Sequence, residues 1–296
     1  MKSSQKSKPF DRKDVFFRTF KEHYGVLLGV SLAMLVFALP VVAVYFGAYI
    51  ELSLLGEITL ENAVEMYSIQ TQMYIWLIPA FAIFSVGAAG AFYVIRRLVW
   101  DQPVLFFRDF FRGIKANWLQ SLISGVIFIL FMGALNYAMN MLVLNVELGS
   151  AYWTLYVVQI FLAVVAAMLL LFQYAAIAVY NDNVFKIIKN SFAFLWATFP
   201  RSIGIVLLAF APAFVLLAFA SVYVIYIIVL IFLALVGFAY GILVFTLHAH
   251  YVFDKYVNKQ SFPDVYKKGL YHEGTTVGSE TESSVSATEG YNIDVE

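Results

Sequence analysis

The chain of 296 residues is 62% hydrophobic and 13% charged, with a mean hydropathy of +0.82. Soluble domains carry roughly 25% charged residues, so this composition indicates an integral membrane protein. The formal net charge is zero and Cys is absent. Those two facts exclude a global basic field for nucleic acid, and also disulfides, thiolate nucleophiles and Cys-ligated metals.

Apolar runs predict an all-α, polytopic membrane protein with six transmembrane helices, because a span needs about 20 apolar residues. Residues 202–247 contain no Asp, Glu, Lys or Arg. As one helix they would be about 69 Å long, so we expect two spans joined by a turn near 220–223. The predicted spans are about 24–50, 73–95, 118–144, 153–180, 202–220 and 223–247, which together form a membrane domain at 24–250.

The segments between the spans alternate in charge. All 19 Lys and Arg fall in 1–23, 96–117, 181–201 and the region from 248 onward, whereas 51–72 and 145–152 carry only acidic charges. Cytoplasmic loops collect Lys and Arg, so we expect both termini in the cytoplasm and a location in the plasma membrane of a bacterium. The first apolar run is too long for a cleaved signal peptide and is expected to anchor the chain.

The two terminal segments lie outside the predicted membrane domain. Residues 1–23 form a basic N-terminal segment that contains an interfacial helix. Residues 251–296 form a cytoplasmic tail, which is rich in Ser, Thr, Glu and Gly from about residue 272 and is predicted to be disordered there.

Local signals mark helix ends and kinks. Asn62-x-x-Glu65 predicts the start of a helix that runs on into the second span, and the run of polar residues at 181–183 predicts a cap after the fourth. Pro40, Pro79 and Pro212 lie inside spans, where neighbouring helices can satisfy the carbonyls that Pro leaves without a donor.

The stretch "FFRDFFRGIK" (Phe106–Lys115) precedes the third span and combines aromatic with basic residues. Its apolar side chains have helical spacing and predict one buried stripe: Phe107, Phe110, Phe111, Ile114 and Trp118. Arg108, Arg112 and Lys115 lie on the other side of that helix. The pattern predicts an interfacial amphipathic elbow helix whose cations meet anionic lipid headgroups, with Asp109 paired to Arg108 and Arg112.

Similar stretches precede the other odd-numbered spans. "FFRTFKEHY" (Phe16–Tyr24), with Arg18 and Lys21, has the pattern of "FFRGIKANW" (Phe110–Trp118), and 189–200 is a degenerate third copy. We predict three repeats, each an elbow helix followed by two membrane helices. The candidate interfacial or partner-binding residues are Arg108, Asp109, Arg112, Lys115, Trp118, Arg18 and Lys21.

Three stretches resemble a known family: "LPVV" (Leu39–Val42), "GAAGAFYVIRRLV" (Gly87–Val99) and "FFRDFFRGIKANW" (Phe106–Trp118). They are similar to the YesL-like family of bacterial integral membrane proteins, whose domain has no assigned function. In that family the Leu-Pro pair is followed closely by the small-residue helix, whereas here an acidic outer loop intervenes. The resemblance implies a connection with carbohydrate uptake and brings no active site.

Uncharged polar residues are the remaining candidates inside the spans, because no charged residue lies there. The absence of charged residues from the spans weighs against ion-coupled carriers. Asn136 and Asn140 share a helix face. Together with Gln159 and Gln173, they are predicted either to line a sugar-binding cavity or to form hydrogen bonds between helices. The second reading is favoured, at about 0.6 kcal/mol for each bond.

Catalytic and metal-binding patterns are missing from the sequence. His248 and His250 are two residues apart, so on a helix they point about 200° apart and cannot chelate one ion. No nucleotide, hydrolase or metalloprotease motif occurs. We therefore expect no cofactor, no metal and no enzymatic activity.

The favoured expectation is a non-catalytic plasma-membrane protein that is an accessory or regulatory component of a membrane system such as carbohydrate uptake. The alternative is a transporter or channel subunit for a neutral solute. A third reading, an enzyme of lipid-linked substrates gripped by Arg108, Arg112 and Lys115, lacks a base or nucleophile. Expected partners are an anionic bilayer and a membrane transport complex, with no nucleic acid. Two GxxxG pairs permit a homo-oligomer without indicating one.

Overall fold

The computed structural model describes residues 11–56, 62–145, 151–180, 182–218, 227–228 and 231–270. All regular secondary structure in those ranges is helical, which confirms the all-α class. The main helices are α1 (Arg12–Glu22), α2 (Tyr24–Leu54), α3 (Ala63–Val99), α4 (Phe106–Asn145), α5 (Ala151–Val179), α6 (Val184–Ala197), α7 (Phe199–Ala209), α8 (Ala211–Ala218) and α9 (Phe238–Phe253). The π-helical turns Leu233–Gly237 and Asp254–Asn258 flank α9, and short turns Lys259–Ser261 and Pro263–Val265 follow. The predicted turn near 220–223 and the tail from about 272 lie outside the described residues.

Five helical stretches are long and apolar enough to cross a membrane, as a multi-pass membrane protein requires. They are Tyr24–Leu54, Ala63–Val99, Phe106–Leu142, Trp153–Val179 and Ala234–Ser261. The first four correspond to the first four predicted spans. The last one begins and ends later than the predicted span 223–247.

The predicted fifth span, 202–220, is not one helix. α7 ends at Ala209 and α8 begins at Ala211, while α6 and α7 form a pair bent by 98° that makes a sixth span only if the two are counted together. Pro212 explains the break after α7, because Pro has no N–H to donate to the carbonyl of Leu208. The hydroxyl of Tyr240 in α9 donates to that carbonyl instead, at 3.2 Å.

The most extensive contact between helices joins α3 and α4, and glycines allow it. A Cβ placed on Gly90 would lie 2.9 Å from the backbone oxygen of Phe110, and one on Gly113 would lie 2.5 Å from the Cβ of Tyr93. Neither distance is tolerable for a methyl group, so the two backbones approach closely only because these residues lack side chains. Gly113 is therefore a packing residue of α4.

The three predicted repeats adopt three different arrangements. α1 is a separate helix before α2, whereas the second copy, Phe106–Lys115, is continuous with the rest of α4. The third copy contains the sharp bend between α6 and α7. The structure therefore confirms neither a repeat nor a separate elbow helix at Phe106–Lys115, because these residues are the first turns of α4.

Two predicted helix starts have the expected positions. Asn183 caps α6, its side-chain oxygen accepting from the N–H of Phe185 at 3.2 Å. Asn62 occupies the N-cap position of α3, yet its side chain makes no capping bond and donates to the carbonyl of Leu55 at 3.4 Å. α3 thus begins about ten residues before the predicted second span and carries polar residues into the bundle.

The glycine contact gives a first testable prediction. Gly113→Ala forces a methyl group into Tyr93, and overpacking of this kind costs about 1–3 kcal/mol. Gly25→Ala is the matched control, because nothing lies within 4 Å of its Cβ position and Ala favours a helix by about 1 kcal/mol. Thermal unfolding of the detergent-purified chain should show a lower midpoint for Gly113→Ala and an equal or higher one for Gly25→Ala. Equal midpoints for both variants would refute the close packing.

Candidate functional site at the basic end of the bundle

The N-terminal helix and the C-terminal segment meet at Asp254, directly after α9. Asp254 forms an ion pair with Arg12 of α1 and accepts hydrogen bonds from the Nδ2 of Asn258 at 2.7 Å and the N–H of Lys267 at 3.2 Å. Burial lowers the pKa of Arg12, and the charge of Asp254 opposes that shift. These contacts place the first and last described segments at the same end of the bundle.

Other ties bring the remaining basic segments to this end. Arg18 of α1 lies 3.4 Å from Asp101 in the α3–α4 connection, and Arg96 of α3 donates to the carbonyl of Ala178 at the end of α5. Tyr256, which follows α9, donates its hydroxyl hydrogen to the carbonyl of Ala197 at the end of α6, at 3.4 Å. The four described basic segments therefore share one end, which we call the basic end.

Tyr180 links the end of α5 to the C-terminal segment. Its hydroxyl donates to the Oδ1 of Asn258 at 2.5 Å. Burial raises the pKa of Tyr180, and the nearby charges of Asp254 and Asp182 raise it further, so the phenol stays protonated and remains a donor. The hydrogen bond is therefore a fixed structural contact.

Asp109 is fully buried in the first turn of α4. Its Oδ1 accepts from the Nη1 of Arg97 at 2.9 Å, and its Oδ2 accepts from the N–H of Leu105 at 2.8 Å. The Nε of Arg108 lies 3.6 Å away, so the predicted pair with Arg108 is present. The pair with Arg112 is absent among the described residues, because Arg97 from the end of α3 takes that place.

The predicted apolar stripe on α4 is not buried inside the protein along its whole length. Phe110 is 2% exposed, but Phe107 is 74%, Phe111 60% and Trp118 47% exposed, and Ile114 is half-buried. The buried side instead runs through Asp109, Phe110 and Gly113, because the glycine contact and the Arg97 pair both draw that side against α3.

The outward side of α4 therefore carries cations and aromatic rings together. Its exposed residues are Phe107, Arg108, Phe111, Arg112, Lys115 and Trp118, which we call the basic-aromatic face. At 100° per residue they fall within about 140° of the helix circumference. Among the other predicted residues, Lys21 is exposed at the same end, whereas Arg18 is largely buried beside Asp101.

Ser202 and His248 form a buried serine–histidine pair that the sequence did not single out. The Oγ of Ser202 in α7 lies 2.8 Å from the Nε2 of His248 in α9, and 3.0 Å from the Oγ1 of Thr198. The hydroxyl of Thr198 donates its hydrogen bond to the carbonyl of Phe194, at 2.8 Å. Ser202 must then donate to Thr198, which leaves His248 as the donor to Ser202.

This proton order is the reverse of what serine catalysis needs. A general base must accept the serine proton, so a histidine that donates Nε2–H cannot activate Ser202. Ser202 is also fully buried, out of reach of a substrate. The chain from His248 to Phe194 thus holds α7 against α9.

His250 is buried one turn before the end of α9. Its ring centroid lies 5.7 Å from that of Trp100. His248 and His250 approach different helices, and the described residues contain no group of three or more potential metal ligands. The pattern His-x-His therefore serves packing in this helix.

The amide side chains meet at the other end of the bundle. Asn140, which is buried, donates to Gln70 of α3 and to Asn136, both at 3.1 Å. Asn136 also borders a cavity of about 250 Å³ between α3 and α4. Gln70 was missed because the polar candidates were sought only inside the predicted spans, and Gln70 precedes the predicted second span. Gln159 and Gln173 lie on α5, and no described hydrogen bond joins them to this network.

A larger cavity of about 300 Å³ lies in the middle of the bundle, between α2, α3, α5, α7, α8 and α9. Its lining is apolar and includes Ala88, Ala209 and Gly241. Such a space is expected to hold an apolar group.

Comparison with known proteins identifies no relative: no family model, no curated protein and no solved structure matches this chain. The similarity to the YesL-like family therefore stays a prediction.

The hydroxyl chain gives a second testable prediction. In ¹⁵N-histidine NMR spectra of the detergent-solubilised chain, His248 should be the Nε2–H tautomer. Ser202→Ala removes its acceptor, and a broken buried hydrogen bond of this kind costs about 1–3 kcal/mol. His23 is half-buried and takes no part in the hydrogen bonds from His248 to Phe194, so its signal serves as a reference. A His248 with Nδ1–H and a bare Nε2 would contradict the assigned proton order.

Proposed function

We propose that this protein is a non-catalytic membrane component that binds another membrane protein through the basic-aromatic face of α4, at the cytoplasmic side of a bacterial plasma membrane. The observation that carries the proposal is the exposure of this face next to cations that are already paired. Arg12, Arg18 and Arg97 have carboxylate partners within the chain, whereas the described residues offer Arg112 and Lys115 none.

The mixture of residue types suits a protein partner beside a lipid surface. Arg and aromatic residues are enriched at protein interfaces, where rings supply contact area and guanidinium groups bind carboxylates in a bidentate way. Anionic headgroups attract the same cations, at about 1 kcal/mol for each. Lipid thus concentrates on this face, and a partner with an acidic cytoplasmic surface fits it better than a neutral one.

The orientation rests on the charge bias of the connecting segments. All Lys and Arg among the described residues belong to segments that the described contacts bring to one end, and Lys and Arg favour the cytoplasmic side. The resemblance to the YesL-like family points to a carbohydrate uptake system as the partner. An enzymatic role is disfavoured by the proton order at Ser202 and His248.

Site-specific photo-crosslinking in native membranes tests this proposal. Phe111, 60% exposed on the basic-aromatic face, is replaced by p-benzoylphenylalanine. Phe46 near the opposite end is the matched control, since it is 62% exposed and also Phe. We expect one protein adduct of constant mass at Phe111, none at Phe46, and a several-fold weaker adduct when Arg112→Glu is added. Lipid adducts alone, equal at both positions, would contradict a protein partner.

A second candidate function is a carrier or channel subunit for a neutral solute. The observation that favours it is the amide network of Gln70, Asn136 and Asn140 beside the cavity between α3 and α4, which Tyr74 and Tyr137 also line. Amides and aromatic rings are the groups that recognise uncharged polar solutes. Against it, both N–H groups of Asn140 are occupied within the chain.

Cysteine labelling separates the two functions, because the chain has no Cys of its own. A water-soluble maleimide should modify Asn136→Cys in a carrier, and a transported sugar should slow the reaction. Ser53→Cys, exposed at the same end of the bundle, reports that the reagent reaches that side. Reaction at Ser53→Cys with full protection of Asn136→Cys is the result expected for the accessory function and excludes a water-filled path.

A further inference from the structure

The central cavity lies at the depth of lipid acyl chains. Ala88, Ala209 and Ile242 border it, and on the same three helices Arg96, Arg201 and His250 at the basic end are each eight residues away. Eight residues of helix correspond to about 12 Å. The hydrocarbon layer of one leaflet is about 15 Å thick. A cavity that lies 12 Å inward from a cation at the headgroup level is therefore at the depth of the acyl chains of the same leaflet.

Arg201 provides a cation at the right place for a phosphate. Its guanidinium carbon lies 3.9 Å from the ring centroid of Tyr251, which fixes the side chain while it remains exposed to the surroundings. Among the described residues no carboxylate lies within ion-pair distance of it. A guanidinium stacked on a ring keeps its N–H edges available for bidentate bonds to phosphate.

One side of α7 connects the cation to the cavity. Arg201, Ile205 and Ala209 follow one another at intervals of four residues and therefore share one side of the helix. Gly204 next to them has nothing within 4 Å of its Cβ position. Ile205 packs partly buried against the core, and Ala209 is 6% exposed at the cavity. This side of α7 is therefore an apolar surface of about two helical turns that leads from Arg201 to the cavity.

We propose that the cavity binds one acyl chain of a glycerophospholipid whose phosphate is held by Arg201. The apolar lining excludes polar solutes, and 300 Å³ lies at the lower limit of ligand pockets, which fits one chain and not a whole lipid. Arg201 supplies the charge complementary to the phosphate. The site is separate from the basic-aromatic face. A failure of the lipid-binding proposal would therefore leave the proposed protein partner untouched, and the reverse is also true.

Native mass spectrometry of the full chain in detergent tests the site, with dioleoyl phosphatidylglycerol as the probe. Gly241→Leu fills the cavity, since its Cβ position meets only the carbonyl of Ala209, at the tolerable distance of 3.4 Å. Gly25→Leu is the matched control, placed where nothing lies within 4 Å. We expect a 1:1 complex with the wild type and Gly25→Leu, and at least tenfold weaker binding to Gly241→Leu.

The headgroup contact is tested with Arg201→Gln and with a lipid that lacks phosphate. Arg201→Gln should weaken binding of phosphatidylglycerol about tenfold, and Arg112→Gln, a loss of the same charge elsewhere at the basic end, should leave it unchanged. Dioleoylglycerol has the same chains and should bind as weakly to the wild type as phosphatidylglycerol binds to Arg201→Gln. Equal binding of the two lipids would overturn the phosphate contact.

A spectroscopic measurement covers the case in which Gly241→Leu does not fold. Ala213→Cys, labelled with bimane, places a fluorophore at the cavity wall of an otherwise Cys-free chain. Phosphatidylglycerol with brominated chains should quench it at saturating one-to-one stoichiometry, and an excess of unbrominated lipid should reverse the quenching. Absence of quenching, or unchanged lipid binding by a folded Gly241→Leu, would overturn the proposal.

Discussion

The close approach of α3 and α4 is the constraint on which the rest of the structure depends. Gly90 and Gly113 let the two backbones come within a distance that any side chain would prevent. Lipid tails are as apolar as the helix surfaces, so the hydrophobic effect does little to bring helices together in a bilayer. Packing of this kind is therefore a main source of association energy. α2, α5 and α9 then pack around α3, and the core residues of those helices belong to one contiguous cluster.

The same contact decides which cations of this region are paired inside the fold and which stay exposed. Because Gly113 faces α3, Asp109 is turned inward onto Arg97. Removing one partner of a buried ion pair of this kind costs about 3–5 kcal/mol. Arg108, Arg112 and Lys115 are correspondingly turned outward. The basic-aromatic face is therefore a consequence of how α4 is rotated, and its aromatic rings are exposed for the same reason.

Hydropathy and charge predicted the first four membrane helices and the grouping of the basic segments, because both depend on composition along the chain. Periodicity did not show which aromatic residues of α4 pack inside the protein, because only the contacts with α3 distinguish them. Gln70 was missed because the polar start of α3 falls outside the span that a hydropathy window marks. The Ser202–His248 contact joins residues 46 positions apart and has no local signal.

The region after residue 198 departs most from the expected pair of straight helices, and its departures share a physical cause. Pro212 removes a donor and ends α7, so the helix line is broken halfway through the bundle. α9 compensates with the Tyr240 hydroxyl on Leu208 and with the buried chain from His248 through Ser202. Gly241 faces the end of α7 without a side chain to fill the space that the break leaves. The central cavity is thus the geometric result of a broken helix held in place by hydrogen bonds on one side and by glycine on the other.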